Sequence, residues 1–401
     1  MNAISATPLP AAPAHVPPHL IHDFDYINDP QLILDPHARM RSLIAEAPPV
    51  FYSRWYGGHW VVTRKKDLIE VTGDPATFSN KSRGLPPIDR DITLIPLTMD
   101  PPEHTKYRMP LNAYFSPKGI AHLEVAIRQM TNDLIDKVID QGRCDFLHDA
   151  AEPLPVTLFM KMAGMPTDRL KEFRQLAEDA TAAPEASTRF AAFQRIGEIL
   201  ASVVKERQAK REDDLISLLL DARIDGHPPS FEEVVNYSVL LFLGGLETVV
   251  NALGFTARHL AQDQELQASL RADPSLIPQT IEEMLRLYGI ASSIRVAKAD
   301  RLVGEAPIQA GDSVLLLIPA ANYDPAAFAE PAACCPGRPE PHVTFNSGPH
   351  RCLGANLARL ELRSFFDEWF KRVPPFRLDP ENPPVFFGGL NLAVRNLPLI
   401  W

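Results

Sequence analysis

The stretch Phe345-Asn346-Ser347-Gly348-Pro349-His350-Arg351-Cys352-Leu353-Gly354 is a loop rich in glycine and proline that delivers a cysteine directly before a helix beginning near Ala355. A thiol in that place faces the unpaired amide donors and the positive end of the helix dipole, and Arg351 is its neighbour in sequence. The thiolate is favoured, which makes a soft anionic ligand. Gly348 and Gly354 let the backbone approach a flat cofactor and its sulfur ligand where a Cβ could clash. Three other readings start from the same residues. A lone cysteine is more often a small buried hydrophobe. Structural zinc wants paired Cys or His, whereas Cys334 and Cys335 are adjacent. A cysteine nucleophile wants an oriented base, and His350, two residues away in a loop, is a poor one.

Upstream lies the longest helical pattern, 231–262. Pro228-Pro229 stop what precedes it, and Ser230 with Glu233 forms a capping box. At ~1.5 Å per residue it is roughly 48 Å long, enough to cross a whole domain. Its middle, Val239-Leu240-Leu241-Phe242-Leu243-Gly244-Gly245-Leu246-Glu247-Thr248-Val249-Val250, is apolar on every side except at Glu247 and Thr248, so the helix belongs in the core. Two glycines inside a helix cost roughly 1 kcal/mol each relative to Ala, and close approach of something large is a natural reason for them. Glu247 and Thr248 place an acid and an alcohol at the same point, which suggests proton delivery. A tight helix crossing with a satisfied polar pair explains this segment equally well.

Further helical periodicity runs over 118–141, 153–164, 190–210, 276–288 and 355–372, and strand patterns lie at 59–63 and 313–317. The fold class is therefore mainly α with a minor β part. Residues 1–20, dominated by Ala and Pro, read as a disordered tail, and 21–401 as a single domain without repeats or low-complexity linkers. The formal net charge of −10 argues against nucleic acid as a partner. The absence of a long uninterrupted apolar run or leader pattern predicts no membrane span and a cytoplasmic protein. Four cysteines in 401 residues do not suggest a disulfide framework.

Phe345, Gly348, Arg351, Cys352 and Gly354 together resemble the haem-binding signature of the cytochrome P450 family. Gly244-Gly245-Leu246-Glu247-Thr248 resembles its oxygen-activation motif, and Glu283 with Arg286 its Glu-x-x-Arg pair, all in the family's order and spacing. Taken alone, that last pair would read as a surface salt bridge. The similarity extends from about Asp23 to Trp401 and is greatest to the camphor-hydroxylase branch of bacterial enzymes. It implies the P450 fold, a triangular prism of helices with small sheets and haem b between the long central helix and the cysteine loop.

The resemblance also implies roles. Cys352 ligates the iron; His104, Arg108, Arg295 and His350 meet the haem propionates; Gly244, Phe345, Gly348 and Gly354 border the cofactor. Thr248 and Glu247 deliver protons to the reacting oxygen, with Glu247 standing where the camphor branch has Asp. Glu283 and Arg286 lock the loop around Arg338 behind the cysteine. Ile92, Leu94, Leu97, Leu240, Leu243, Gly244, Thr248, Ile294, Leu390 and Asn391 line a small apolar pocket. A tyrosine that holds the substrate ketone in the camphor branch aligns with Ile92, so the expected substrate is a terpenoid or norisoprenoid such as an ionone, with Asn391 as replacement donor.

The expected reaction is hydroxylation with O2 and two electrons from a 2Fe-2S ferredoxin served by its reductase. The ferredoxin would be steered by Arg64, Lys65, Lys66, Lys106, Arg108, Arg351 and Arg359. The chain is expected to act as a monomer. A peroxide-using or isomerising haem-thiolate enzyme, a camphor-type hydroxylase and a non-catalytic haem sensor are the competing readings.

Overall fold

Ser230 opens the long helix where the sequence marks it. Its hydroxyl accepts from the Glu233 amide at 3.2 Å, the Glu233 carboxylate accepts from the Ser230 amide at 2.6 Å, and the helix runs over Phe231–Gln262. The computed structural model describes residues 9–82, 84–86, 94–165, 169–182 and 186–401, without the side chains of 174, 177, 178, 181, 182, 186 and 246. Ile92 lies outside these residues.

The central helix packs against the helices Pro153–Met162, Ala186–Ala209 and Ala355–Arg372. Phe242 meets Phe159 and Phe173 edge-on at 5.2 and 5.7 Å, and Phe255 stacks on Tyr288 and Phe386. Burial all round, as its apolar composition predicts, fails in the middle: Leu240, Leu241 and Leu243 are only half-buried and Gly244 is exposed. A core helix that opens at its centre faces a space inside the fold. Among the described residues it is the one helix long and apolar enough to cross a membrane, and protein walls it on several sides.

The helix Ala355–Arg372 follows the cysteine loop and lies along Leu123–Val138, burying Leu360, Phe365, Phe366 and Trp369. Phe146 fills the seam, edge-on to Phe365 at 5.5 Å and Trp369 at 5.1 Å. The pattern over 118–141 is not one helix. Ser116 caps a short helix Pro117–Ile120, a new one runs over Leu123–Val138, and Gly142 in the left-handed region (φ 65°) ends the segment. Glu103–Tyr114, which carries His104 and Arg108, is a helix whose periodicity is blurred by Pro110.

One five-stranded sheet follows the spatial order Val50–Ser53, His59–Val62, Ser313–Leu316, Ser293–Ala297, Phe78–Ser79. Trp60 pairs with Val314 in the parallel step and Ile294 with Leu315 in the antiparallel one. A hairpin, Val385–Phe387 with Ala393–Asn396, reaches back to the central helix. Within the segment expected to be a disordered tail, residues 9–20 run along the sheet and dock through a few side chains. Val16 and Leu20 are buried with Trp60 and Val314, and His15 contacts Asp312 at 3.0 Å. Its prolines already hold the chain extended, and two apolar side chains with one polar anchor are enough to dock it.

Candidate active site

The cysteine loop closes on its own backbone. The Cys352 amide donates to the Phe345 carbonyl at 2.8 Å and the Arg351 amide to the Gly348 carbonyl at 3.1 Å. Gly348 sits at φ 68°, and a Cβ there would come within 2.2 Å of the Thr72 carbonyl oxygen. The end of the helix Lys65–Gly73 is therefore one requirement for glycine at this position. Gly354 caps the following helix, and a Cβ there would meet nothing within 4 Å.

Cys352 has open surface. Burial nonetheless pushes its thiol up, against the opposing pull of the Gly354 amide, Arg108, Arg351 and Arg359. A metal cation on the sulfur would favour the anion.

Behind the loop, Glu283 accepts from Arg286 at 2.8 and 2.9 Å, from Arg338 at 3.2 Å and from the Cys335 amide at 3.0 Å. Arg286 also donates to the carbonyls of Asn322, Pro331 and Ala333. Both members of the pair are almost fully buried, at 1% and 3% exposure, so this is not the surface salt bridge that its spacing alone would suggest. Sequence reasoning missed the next layer. Glu282 binds Arg359 at 2.6 Å and His342 at 3.3 Å, and the Arg359 guanidinium lies 4.5 Å over the Phe345 ring. Adjacent to Glu283 and facing the other way, Glu282 carries no signal of its own.

Four basic side chains converge beside the cysteine. The rings of His104 and His350 stand 3.9 Å apart. Among the described residues, both nitrogens of buried His104 and Nε2 of His350 have no hydrogen-bond partner. Burial, then His104, Arg295 and Arg108, depresses His350 to about 3, and burial followed by Arg108 holds His104 near 4. Arg295, 3% exposed, is lowered by burial to about 10, and the nearest acceptor of its own is the Ile294 carbonyl at 2.8 Å. Two histidines with unpartnered ring nitrogens beside two arginines that donate only to backbone carbonyls and a serine hydroxyl suit a ligand bearing carboxylates. The central helix supplies the complement: a Cβ on Gly244 or Gly245 would meet nothing within 4 Å, so a flat group can lie against it. The residues present thus fit haem, with Cys352 as ligand and the four basic side chains at its propionates.

On the same helix the Thr248 hydroxyl donates to the Gly244 carbonyl at 3.1 Å. The Glu247 carboxylate accepts from the Asn391 side-chain amide at 3.0 Å, which engages one of that amide's two N–H donors. Asn251, one turn on, binds the Glu247 carbonyl at 2.9 Å and accepts from the Val394 amide. Ala291 bridges Asn391, and the Ser292 amide donates to the Leu390 carbonyl at 2.7 Å. Leu94 and Leu97 belong to a turn tied to the sheet edge through Asn80, whose side chain binds the Leu97 carbonyl. Leu94 and Ile294 are half-buried, and Leu97 and Leu390 are exposed.

The sequence model of the family "Cytochrome P450" matches residues 180–385. "Probable cytochrome P450 127A1" of Sinorhizobium fredii is 32% identical over 97% of this chain and 96% of its own length. The "Steroid C26-monooxygenase" of Mycobacterium tuberculosis is 32% identical over 88% of this chain and 97% of its own. The crystal structure of CYP101J2 superposes with a TM-score of 0.91 at 34% identity, covering 98% of this chain and 99% of that one. The chain belongs to the cytochrome P450 family. It is a haem b monooxygenase, and its structural neighbours are of the camphor-type branch.

Proposed function

We propose that the chain hydroxylates an unactivated C–H bond of a small apolar terpenoid or norisoprenoid, ionone-like in size, with O2 and two electrons from a 2Fe-2S ferredoxin. The observation that supports the reading is the open middle of the central helix, where Leu240 and Leu243 are half-buried and Gly244 is exposed, while Thr248 donates to the helix and Glu247 accepts from Asn391. In this reading Leu94, Ile294 and Leu390 complete an apolar wall. Such a wall rewards shape and apolar area over a hydrogen-bonded ketone.

Bound through Cys352, haem supplies the activation of dioxygen and the oxidising equivalent. Thr248 offers a hydroxyl at the open centre of the helix, and Glu247 holds a proton at its carboxyl one residue earlier. His104, Arg108, Arg295 and His350 orient the cofactor through its carboxylates.

Of the seven cations expected to steer a ferredoxin, four are engaged within the chain. Lys65 lies 4.4 Å over Phe328, Lys106 pairs with Asp225, Arg108 donates to the Arg351 carbonyl, and Arg359 binds Glu282. Arg64, Lys66 and Arg351 are exposed, and they carry the docking proposal.

The test titrates the ferric holoenzyme with β-ionone and with camphor, following the spin-state change as water leaves the iron. A strong change with ionone and little with camphor supports the proposal. A strong camphor response would overturn the substrate assignment and leave the enzyme class untouched.

A further inference from the structure

Glu247 is a half-buried acid without an ion pair among the described residues. Its side chain has one hydrogen-bond donor, the Asn391 amide at 3.0 Å, and the charge acting on it is Arg395, farther along the same hairpin. Asn391 itself cannot drift. Its backbone bridges Ala291, the flanking Leu392 amide donates to Ile290 at 3.1 Å, and the Gly389 amide donates to Tyr26 at 2.9 Å. The same hairpin grips the main chain of Glu247 through Asn251, which joins the Glu247 carbonyl to the Val394 amide at 2.9 Å on either side. One element therefore fixes both the backbone and the carboxyl of this residue.

We infer that Asn391 is a positioning residue for proton delivery, holding the Glu247 carboxyl through a neutral amide rather than binding substrate. The inference rests on the reading of Glu247 as the proton-delivering acid. The chemistry of the partner is the argument. An acid that passes protons must both lose and regain one near the working pH. A lysine or arginine in hydrogen-bond contact would hold the carboxylate ionised, and an apolar neighbour would leave a buried carboxyl protonated and loosely oriented. An amide gives direction at a fraction of the charge stabilisation. In keeping with this, burial raises Glu247 above the ordinary carboxylate range, with the Asn391 bond and Arg395 opposing.

The test is an infrared titration of the protonated carboxyl band of Glu247, identified by its loss in Glu247→Gln. It is run on holoenzyme with intact haem content for wild type, Asn391→Ala and Asn391→Lys. Removing the donor should raise the midpoint by about one pH unit, and a cation at the same place should lower it by at least as much. A merely structural role would not shift the titration in opposite directions. Coincident midpoints in all three proteins would overturn the inference and leave Glu247 free to act as the acid. If Glu247→Gln kept wild-type turnover and an unchanged solvent isotope effect, the acid reading would fall instead, and the positioning role with it. The two failures are therefore told apart by which protein departs from expectation.

Discussion

Behind the cysteine, Glu283 collects Arg286, Arg338 and a backbone amide, Glu282 collects Arg359 and His342, and Arg359 covers Phe345. On the central helix, Glu247 has a single neutral donor, and Thr248 spends its hydroxyl on its own helix. Glu283 is buried and Glu282 and Glu247 are partly so, but the first region saturates its acids with basic partners and the second leaves one poised. The contrast follows from task. A ligand loop has to keep one geometry through every turnover, so its acids are permanently ionised and bonded. A proton-handling acid has to change state, so its partner is weak. Substitutions on the two sides should therefore fail differently.

The largest effect belongs to the ligand itself: Cys352→Ala should abolish the thiolate-type absorption of the reduced carbon monoxide complex together with turnover. Next is the lock behind it. Arg286→Ala strands the buried Glu283 carboxylate and should cost about 3 to 5 kcal/mol in urea unfolding, with loss of haem. Persistence of wild-type stability would mean that Arg338 alone satisfies Glu283.

The pH dependence of stability should separate the two sides by sign. Burial pushes Glu282 up, but hydrogen bonds from His342 and Arg359 outweigh it and hold the carboxyl near 2. Its contribution is therefore present above the ordinary carboxylate range and is lost as pH falls through about 2. Glu247 is raised, so its contribution is present below the ordinary range and is lost as pH climbs through its folded value. Denaturant midpoints measured between about pH 3 and 8 should thus fall in Glu282→Gln toward neutral pH and rise in Glu247→Gln over the same range. Parallel behaviour of the two variants would erase the contrast.

The smallest effect is expected at the surface. Arg351→Glu or Lys66→Glu should slow ferredoxin association several-fold at low salt and hardly at all at high salt. An association rate independent of salt would remove the docking proposal.

Much of the cysteine side was legible because its determinants are local. A Gly/Pro loop, a thiol and a helix start are consecutive residues, and the capping box fixed the central helix to the residue. What escaped is long-range. Asn391 lies 144 positions from Glu247, and nothing in a hairpin residue announces which helix it will reach. Periodicity also says that a helix is apolar without saying which of its side chains are enclosed by protein, as the half-buried Leu240 and Leu243 beside fully buried Phe242 show. At Gly348 the close approach of Thr72 could not be read from the loop, since Thr72 comes from a distant helix. Val16 and Leu20 were hidden among prolines that mimic a disordered tail.

The division of labour between the two regions is tested most directly by the product formed per electron pair consumed in Glu247→Gln, at wild-type haem content and with the thiolate-type spectrum intact. The account predicts turnover lowered by about 100-fold and electrons diverted from product to reduced oxygen species. Product yield and rate equal to wild type would contradict it, showing that the poised acid of the central helix takes no part in delivering protons.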